Sequence, residues 1–167
     1  MARVRDIGIE DVDDATRPVY QRFANEYGPF LNQVKVFAHR PVALRHIMGM
    51  LLEMADQPIL DKRHLEIAIV TVSAINRCDY CVAHHAPRLL KLGLSDATIE
   101  RILDDDCPGL DPIDRLVRDY AAQVTRDHNR VGDALFDQLR VHFDEAQIVE
   151  LTLRITLCTF FNKFNDV

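Results

Sequence analysis

Two cysteines three residues apart, Cys78 and Cys81, are the side chains of this sequence best suited to chemistry. A pair at this spacing can cycle between dithiol and disulfide, and either thiolate can act as a nucleophile or as a metal ligand. Two histidines, His84 and His85, follow closely and can move protons near neutral pH. The stretch from residue 61 to residue 93 therefore holds the densest set of reactive groups in the chain.

The cysteines are predicted to open a helix. A break at residues 76–77 precedes Cys78, and Gly93 is a natural residue to follow the end of a helix. Cys78 then lies at the helix start and Cys81 in the first turn, where free amides and the helix dipole favour thiolate. Helical positions three apart hold their Cβ atoms about 5–6 Å from each other, whereas a disulfide needs about 3.5–4.5 Å. Closing a disulfide is therefore expected to distort the first turn and to leave the bond readily reducible.

A histidine and an acid are predicted to serve this dithiol. His85 is four residues beyond Cys81, on the same helical face, and can take the proton of the thiol. His84 points about 100° away and is predicted to be a surface or packing residue. Glu66 lies on the preceding apolar helix, and an antiparallel hairpin brings it to His85; unless paired, its pKa should be raised, which suits a proton donor or relay. Ser73 shares the face of Glu66 and is predicted to extend the polar line toward the cysteines.

Start and stop signals predict an all-α protein of about eight or nine helices, built around this central helical hairpin. Capping residues and proline positions mark the starts, and glycine or proline marks several ends. The first expected helix ends near Tyr27, and the last begins near Asp144. Between them, helices are expected over 31–38, 41–55, 61–75, 78–92, 95–104, 111–126 and 133–142. The length of 167 residues favours one domain over residues 1–167. The last helix is apolar around most of its circumference, and Phe160, Phe161 and Phe164 suggest a covering partner.

The composition is that of an ordinary globular protein, with 48% hydrophobic and 28% charged residues. A net charge of −6 argues against a nucleic-acid surface. The opening residues lack the apolar core of a signal peptide, and no run of apolar residues is long enough to predict a membrane span. We therefore expect a cytoplasmic protein, in a reducing compartment where C-x-x-C pairs are more often redox-active or metal-binding than structural.

Other interpretations of the same residues remain open at this point. Cys78 and Cys81 can be two core cysteines, and Glu66 can be a buried partner of Arg63 or of another base. Zinc can be held by the cysteines with Glu66 and one of His84 and His85, although a second ligand pair is absent. Attachment of a c-type haem is excluded, because Val82 follows Cys81 where that motif needs histidine. Neither Cys107, in an acidic loop, nor Cys158, in the apolar last helix, is assigned a role.

The combined pattern Glu66–x11–Cys78–x2–Cys81–x3–His85 resembles the AhpD-like alkylhydroperoxidases of the carboxymuconolactone decarboxylase superfamily. The resemblance is strongest over residues 61–93 and extends loosely to the Ala-His-Arg-Pro segment at 38–41. It implies an all-α fold assembled into trimers or hexamers. It also implies a thiol-dependent hydroperoxidase or dithiol–disulfide oxidoreductase with no cofactor besides the cysteine pair, reduced by a dithiol partner such as a lipoylated protein.

The resemblance also implies a role for each site residue. Cys81 is the peroxidatic cysteine, Cys78 resolves its sulfenic acid to a disulfide, and Glu66 with His85 forms a proton relay. Tyr80 stands where the best-studied members carry a histidine, and with an ordinary pKa near 10 it is a poor base. Two other functions compete: a non-catalytic or metal-binding helical oligomer, and a lyase of the decarboxylase type that uses His85 and Glu66.

Overall fold

Helices account for all regular secondary structure in the computed structural model, which describes residues 3–167 apart from the side chain of Pro29. They are α1 (Arg17–Glu26), α2 (Leu31–Phe37), α3 (Pro41–Ala43), α4 (Gly49–Asp56), α5 (Lys62–Ile75), α6 (Asp79–Lys91), α7 (Asp96–Glu100), α8 (Pro112–Asp127), α9 (Asp133–His142) and α10 (Glu145–Asp166). A π-helical segment, Leu44–Met48, joins α3 to α4, so these two form one interrupted helix. The predicted all-α fold of eight or nine helices is confirmed.

Capping chemistry explains why most predicted helix starts were right. Asp61, Ser95, Asp111 and Asp144 each accept a hydrogen bond from a backbone amide of the helix that follows. Near the first helix, Asp13 accepts the Thr16 N–H at 2.9 Å, and α1 begins at Arg17. The helix predicted over 95–104 is shorter than expected, because α7 ends at Glu100 and turns follow.

The chain divides into two compact units, one ending at Pro58 and one formed by Ile59–Val167. In the first, α1 buries Tyr20 and Phe23, and the Tyr20 hydroxyl donates to the Ile7 carbonyl at 3.0 Å. Single-domain behaviour over 1–167 stays a prediction, and Met1 and Ala2 lie outside the described residues. None of the helices described combines the length and the apolar run that crossing a membrane needs.

The second unit is built around α5. This helix is buried along most of its length and contacts α6, α8 and α10. Its central residues Ile67, Val70 and Val72 are fully buried, as expected for a helix that is apolar on nearly every side. Because its neighbours cover it, α5 can hold Glu66 in an apolar setting and place it against α6.

Candidate active site

A tight connection between α5 and α6 sets the position of the dithiol. The Cys78 N–H donates to the Ser73 carbonyl at 3.0 Å and the Arg77 N–H to the Ala74 carbonyl at 3.2 Å, the two bonds of a Schellman motif. Arg77 occupies the left-handed position of this motif, with φ of 57°. The predicted break at 76–77 is therefore a fixed turn. It places Cys78 immediately before the first residue of α6.

The two cysteine sulfurs lie 2.8 Å apart, with the Cys78 thiol donating to Cys81. Both side chains are buried, at 0% and 4% exposure. The expected distortion of the first turn assumed that both residues are helical. Cys78 instead has φ of −87° and ψ of 88°, outside the helical region, and this conformation brings its sulfur to Cys81. The dithiol is thus already close to the geometry of a disulfide.

The two thiols differ in their surroundings. Burial raises the pKa of Cys78, and its hydrogen bond to Cys81 raises it further. Cys78 therefore keeps its proton at neutral pH and offers it to Cys81 as a donor. A thiol that donates to a second sulfur supports negative charge on that second sulfur. Of the two sulfurs, Cys81 is the one that receives this donor.

Glu66 is held by two basic side chains of α6. Its Oε2 lies 2.6 Å from Nδ1 of His85, and its Oε1 accepts from Nη1 of Arg88 at 3.1 Å. Burial acts to raise the pKa of Glu66, but the hydrogen bond and charge of His85, then the charge and hydrogen bond of Arg88, outweigh it and leave that pKa below its usual value. Glu66 is therefore a carboxylate at neutral pH and fixes the Nδ1 proton of His85.

His84 and Tyr80 pack on each other, away from the Glu66 contact. Their rings meet edge to face with centroids 4.3 Å apart. Burial lowers the pKa of His84, and the nearby positive charges of His85 and Arg88 lower it further. Burial raises the pKa of Tyr80. Tyr80 thus stays a phenol near neutral pH, and His85, as the sequence indicated, is the histidine that meets Glu66.

Ser73 takes part in a polar cluster between α5 and α10. Its hydroxyl lies 3.4 Å from the Cys158 sulfur and accepts from Nδ2 of Asn162 at 3.2 Å. Asn162, fully buried, also accepts from Nδ2 of Asn76 at 2.9 Å. Burial raises the pKa of Cys158 to about 12, so this thiol stays protonated. The Ser73 side chain therefore contacts α10, and its predicted role in a polar line toward the cysteines stays a prediction; its backbone carbonyl accepts from the Cys78 amide.

Three residues of the site were not found from the sequence. Arg88 pairs with Glu66, Asn162 joins α10 to α5, and Asn165 of α10 donates from Nδ2 to the Cys81 sulfur at 3.5 Å. The spacing of Arg88 carried a signal, because it lies three residues after His85 on the same helical face. Nothing local indicates the two asparagines, since their roles depend on how α10 packs.

Two alternatives raised by the sequence look different in the structure. Arg63 pairs with Asp114 at 2.6 Å, so its partner is not Glu66. Throughout residues 3–167, no group of three or more His, Cys, Asp or Glu side chains is arranged to hold a metal ion. Zinc ligation by the cysteines together with Glu66 and a histidine would require these side chains to move.

The sequence from 41 to 126 matches the model of the carboxymuconolactone decarboxylase family, which is more than half of the chain. The chain belongs to the carboxymuconolactone decarboxylase family. The matched region contains both α5 and α6, and so the whole Glu66, Cys78, Cys81 and His85 pattern. The family resemblance drawn from that pattern is confirmed.

Curated relatives of this family member include an uncharacterized protein and a reductase. YdfG of Bacillus subtilis is 24% identical over 135 residues, covering 80% of this chain and 91% of that protein. Alkyl hydroperoxide reductase AhpD of Coxiella burnetii is 32% identical over 81 residues, covering 47% of this chain. That match spans only 42% of the reductase.

Two solved structures share the fold. A peroxidase-related protein from Ralstonia eutropha, described as an alkylhydroperoxidase AhpD core, superposes with a TM-score of 0.81 at 21% identity, covering 98% of this chain and 88% of that one. A peroxidase-related protein from Silicibacter superposes with a TM-score of 0.79 at 22% identity, covering 99% and 92%. The AhpD-like fold is thereby established for this chain.

Proposed function

We propose that this family member reduces hydroperoxides through Cys78 and Cys81, as a thiol-dependent alkyl hydroperoxidase or dithiol–disulfide oxidoreductase. The observation that carries the proposal is the buried pair of sulfurs 2.8 Å apart, one helical turn before a histidine held by Glu66. The name of the Coxiella relative, an alkyl hydroperoxide reductase, supports the same reaction class.

The reaction has two covalent steps in this proposal. The Cys81 thiolate attacks one oxygen of the hydroperoxide; an S–O bond forms, the O–O bond breaks, and the alkoxide leaves. Cys81 becomes a sulfenic acid and the peroxide is reduced to an alcohol. The Cys78 thiol then attacks the Cys81 sulfur, forming the disulfide and releasing water. The 2.8 Å approach of the sulfurs favours this second step.

Proton transfer falls to His85 in the same proposal. Glu66 fixes the Nδ1 proton of His85, which leaves Nε2 to take the Cys81 proton and to return it to the departing alkoxide. His85 and then Arg88 keep Glu66 anionic, so Glu66 orients the imidazole. Tyr80, a phenol with a raised pKa, supplies no base. Ser73 supports the turn that carries Cys78.

The remaining elements of the proposal concern turnover in the cell. A disulfide produced at each cycle needs an external dithiol, for example a lipoylated protein, and we place the protein in a cytoplasmic, reducing compartment with an antioxidant role.

We also propose a homo-trimer or hexamer. Phe160 and Phe164 of α10, 41% and 38% exposed in the single chain, are candidates for its interface.

Single-residue variants test the proposed reaction. With a dithiol reductant and an organic hydroperoxide, Cys81→Ser is expected to abolish peroxide consumption, and His85→Gln to slow it roughly 10²–10⁴-fold. Cys107→Ser, a change at a cysteine outside the site, should leave the rate unchanged. Full activity in Cys81→Ser would overturn the proposal.

The family name supports a second candidate, a lyase of the decarboxylase type. Glu66, His85 and Arg88 form a charged group that can move a proton without any thiol chemistry. Conversion of a carboxylated lactone that survives Cys81→Ser and is lost in His85→Gln would favour this candidate over the hydroperoxidase.

A further inference from the structure

Helix α10 brings a hydrogen-bond donor to the sulfur proposed to react. Nδ2 of Asn165 lies 3.5 Å from Sγ of Cys81, within the range of an N–H to sulfur hydrogen bond. Asn165 is in the last turn of α10, eighty-four residues beyond Cys81 in sequence. A thiolate carries no proton, so it can only accept. A neutral thiol sulfur can also accept, but the amide N–H of Asn165 binds the charged form of Cys81 more strongly, so the contact favours the thiolate.

The last turn of α10 is fixed in place by Asn162, which lies three residues earlier on the same face. The Asn162 carboxamide donates to the Ser73 hydroxyl at 3.2 Å and accepts from Asn76 at 2.9 Å. The final turn of a helix frays unless it is tied down. Here Asn162 joins α10 to Ser73 near the end of α5 and to Asn76 in the turn before Cys78. The last turn of α10 therefore keeps a fixed position relative to the dithiol.

We infer that Asn165 is a catalytic residue of the hydroperoxidase proposed above, stabilising the Cys81 thiolate by hydrogen bonding, and that Asn162 is the positioning residue that holds it there. The inference rests on that proposed function. It assigns the two donors at Cys81 to different elements, since Cys78 donates from the α5–α6 turn and Asn165 from α10. Each donor stabilises charge on the same sulfur.

The test compares Asn165→Leu, which keeps the size and removes the donor, with Asn165→Asp, which keeps the shape and adds a negative charge. The pH dependence of Cys81 alkylation is followed by mass spectrometry, with ultraviolet thiolate absorbance as a readout that needs no reagent access. Asn165→Leu should raise the midpoint pH of Cys81 by about one unit, the effect of one hydrogen bond to a charged group. Asn165→Asp should raise it more. Asn25→Leu, the same change at an exposed position of α1, should leave it unchanged.

The peroxide reaction supplies a readout that a structural role does not move. At a pH below both midpoints, Asn165→Leu should oxidise about threefold more slowly, since an about tenfold smaller ionised fraction of Cys81 is partly offset by an about threefold more nucleophilic thiolate. Above the shifted midpoint, the oxidation rate of Asn165→Leu should equal that of the wild type or exceed it by up to about threefold, because a more basic thiolate is more nucleophilic. A merely loosened last turn would slow the reaction at every pH.

The outcomes separate this inference from the function on which it rests. Unchanged Cys81 midpoints in both Asn165 variants would overturn the role of Asn165, even if the wild type forms its disulfide with peroxide. Slowing at every pH, or wild-type behaviour of Asn165→Asp, would also overturn it. If the Asn165 variants shift the Cys81 midpoint but the wild type does not react with peroxide, Asn165 remains the donor to Cys81 and the hydroperoxidase is refuted.

Discussion

The charge of Glu66 decides how the candidate site handles protons. A carboxyl group buried among apolar residues was expected to hold a raised pKa unless paired, and the pairing with His85 and Arg88 reverses that direction. A carboxylate that stays ionised orients His85 and stabilises its protonated ring, whereas a carboxylic acid would donate its own proton. His85 and Arg88 therefore favour an anchoring role for Glu66 over the predicted role of proton donor or relay.

The lowered pKa of Glu66 makes stability depend on acid. A carboxyl whose folded pKa lies below its unfolded value adds stability above the unfolded pKa, near 4.5, and loses it as the pH falls through the folded pKa. We expect Glu66→Gln to flatten the fall in unfolding free energy below pH 4.5. Urea unfolding over a pH series measures this. Glu53→Gln, an exposed change on α4, is the control, and an identical acid slope in Glu66→Gln and wild type would contradict the account.

At the scale of elements, the two helices of the hairpin end in the same motif with different residues. Gly93, with φ of 87°, follows α6, and Leu94 and Gly93 donate to the carbonyls of Leu89 and Leu90 at 3.1 Å. Arg77 occupies the equivalent position after α5 with φ of 57°. Glycine adopts this region without penalty, whereas an L-residue with a side chain pays about 1–2 kcal/mol.

Exchanging the residue types at these two positions tests the motif. Arg77→Gly should stabilise the protein by about 0.5–1 kcal/mol, the relief of strain less the entropy lost by glycine. Gly93→Ala should destabilise it by about 1–2 kcal/mol. Only backbone conformation is at issue at Gly93, because an added Cβ there meets no atom within 4 Å. Unfolding free energies in urea give both values, and a destabilised Arg77→Gly would show that the Arg77 side chain is itself stabilising.

The elements were largely predictable because their signals are local. Asp61, Asp111 and Gly93 cap or end their helices through contacts with neighbouring residues, and these were read correctly. The conformation of Cys78 was not, since it depends on Arg77 adopting a left-handed conformation that sequence alone does not favour for arginine. The π-helical segment Leu44–Met48 was also missed, because no residue type marks it.

At the scale of the second unit, Arg63 joins segments that are distant in sequence. Its guanidinium pairs with the fully buried Asp114 of α8, and it donates to the carbonyls of Leu92 at 3.1 Å and Gly109 at 3.0 Å. These contacts tie the start of α5 to the end of α6, to the following loop and to α8. The Arg63–Asp114 pair therefore helps to hold the framework that carries the dithiol.

Breaking this pair should destabilise the protein without altering the reactive groups. Asp114→Asn is expected to lower the unfolding free energy by roughly 2–4 kcal/mol, since Arg63 loses the carboxylate that accepts its hydrogen bonds. The Arg63 side chain is 26% exposed, which keeps the effect below that of a fully buried pair. Asp137→Asn, at the exposed pair with Arg140, should change it by less than about 0.5 kcal/mol. Equal effects of the two substitutions would show that Arg63 contributes little.

Long-range packing limited what the sequence could reveal about the site. The contacts of Glu66 with His85 and of Cys78 with Cys81 could be predicted, because one hairpin carries these residues and their spacing brings each pair together. Asn165 was not found, because its contact with Cys81 depends on how α10 packs against α5 and α6.

The central claim is that Cys78 and Cys81 form the redox pair. To test this directly, the reduced protein is treated with one equivalent of an organic hydroperoxide and the remaining free thiols are trapped. All four cysteines are then mapped by mass spectrometry. The account predicts a Cys78–Cys81 disulfide, with Cys107 and Cys158 still reduced. Reduced Cys78 and Cys81 alongside oxidised Cys107 or Cys158 would contradict it.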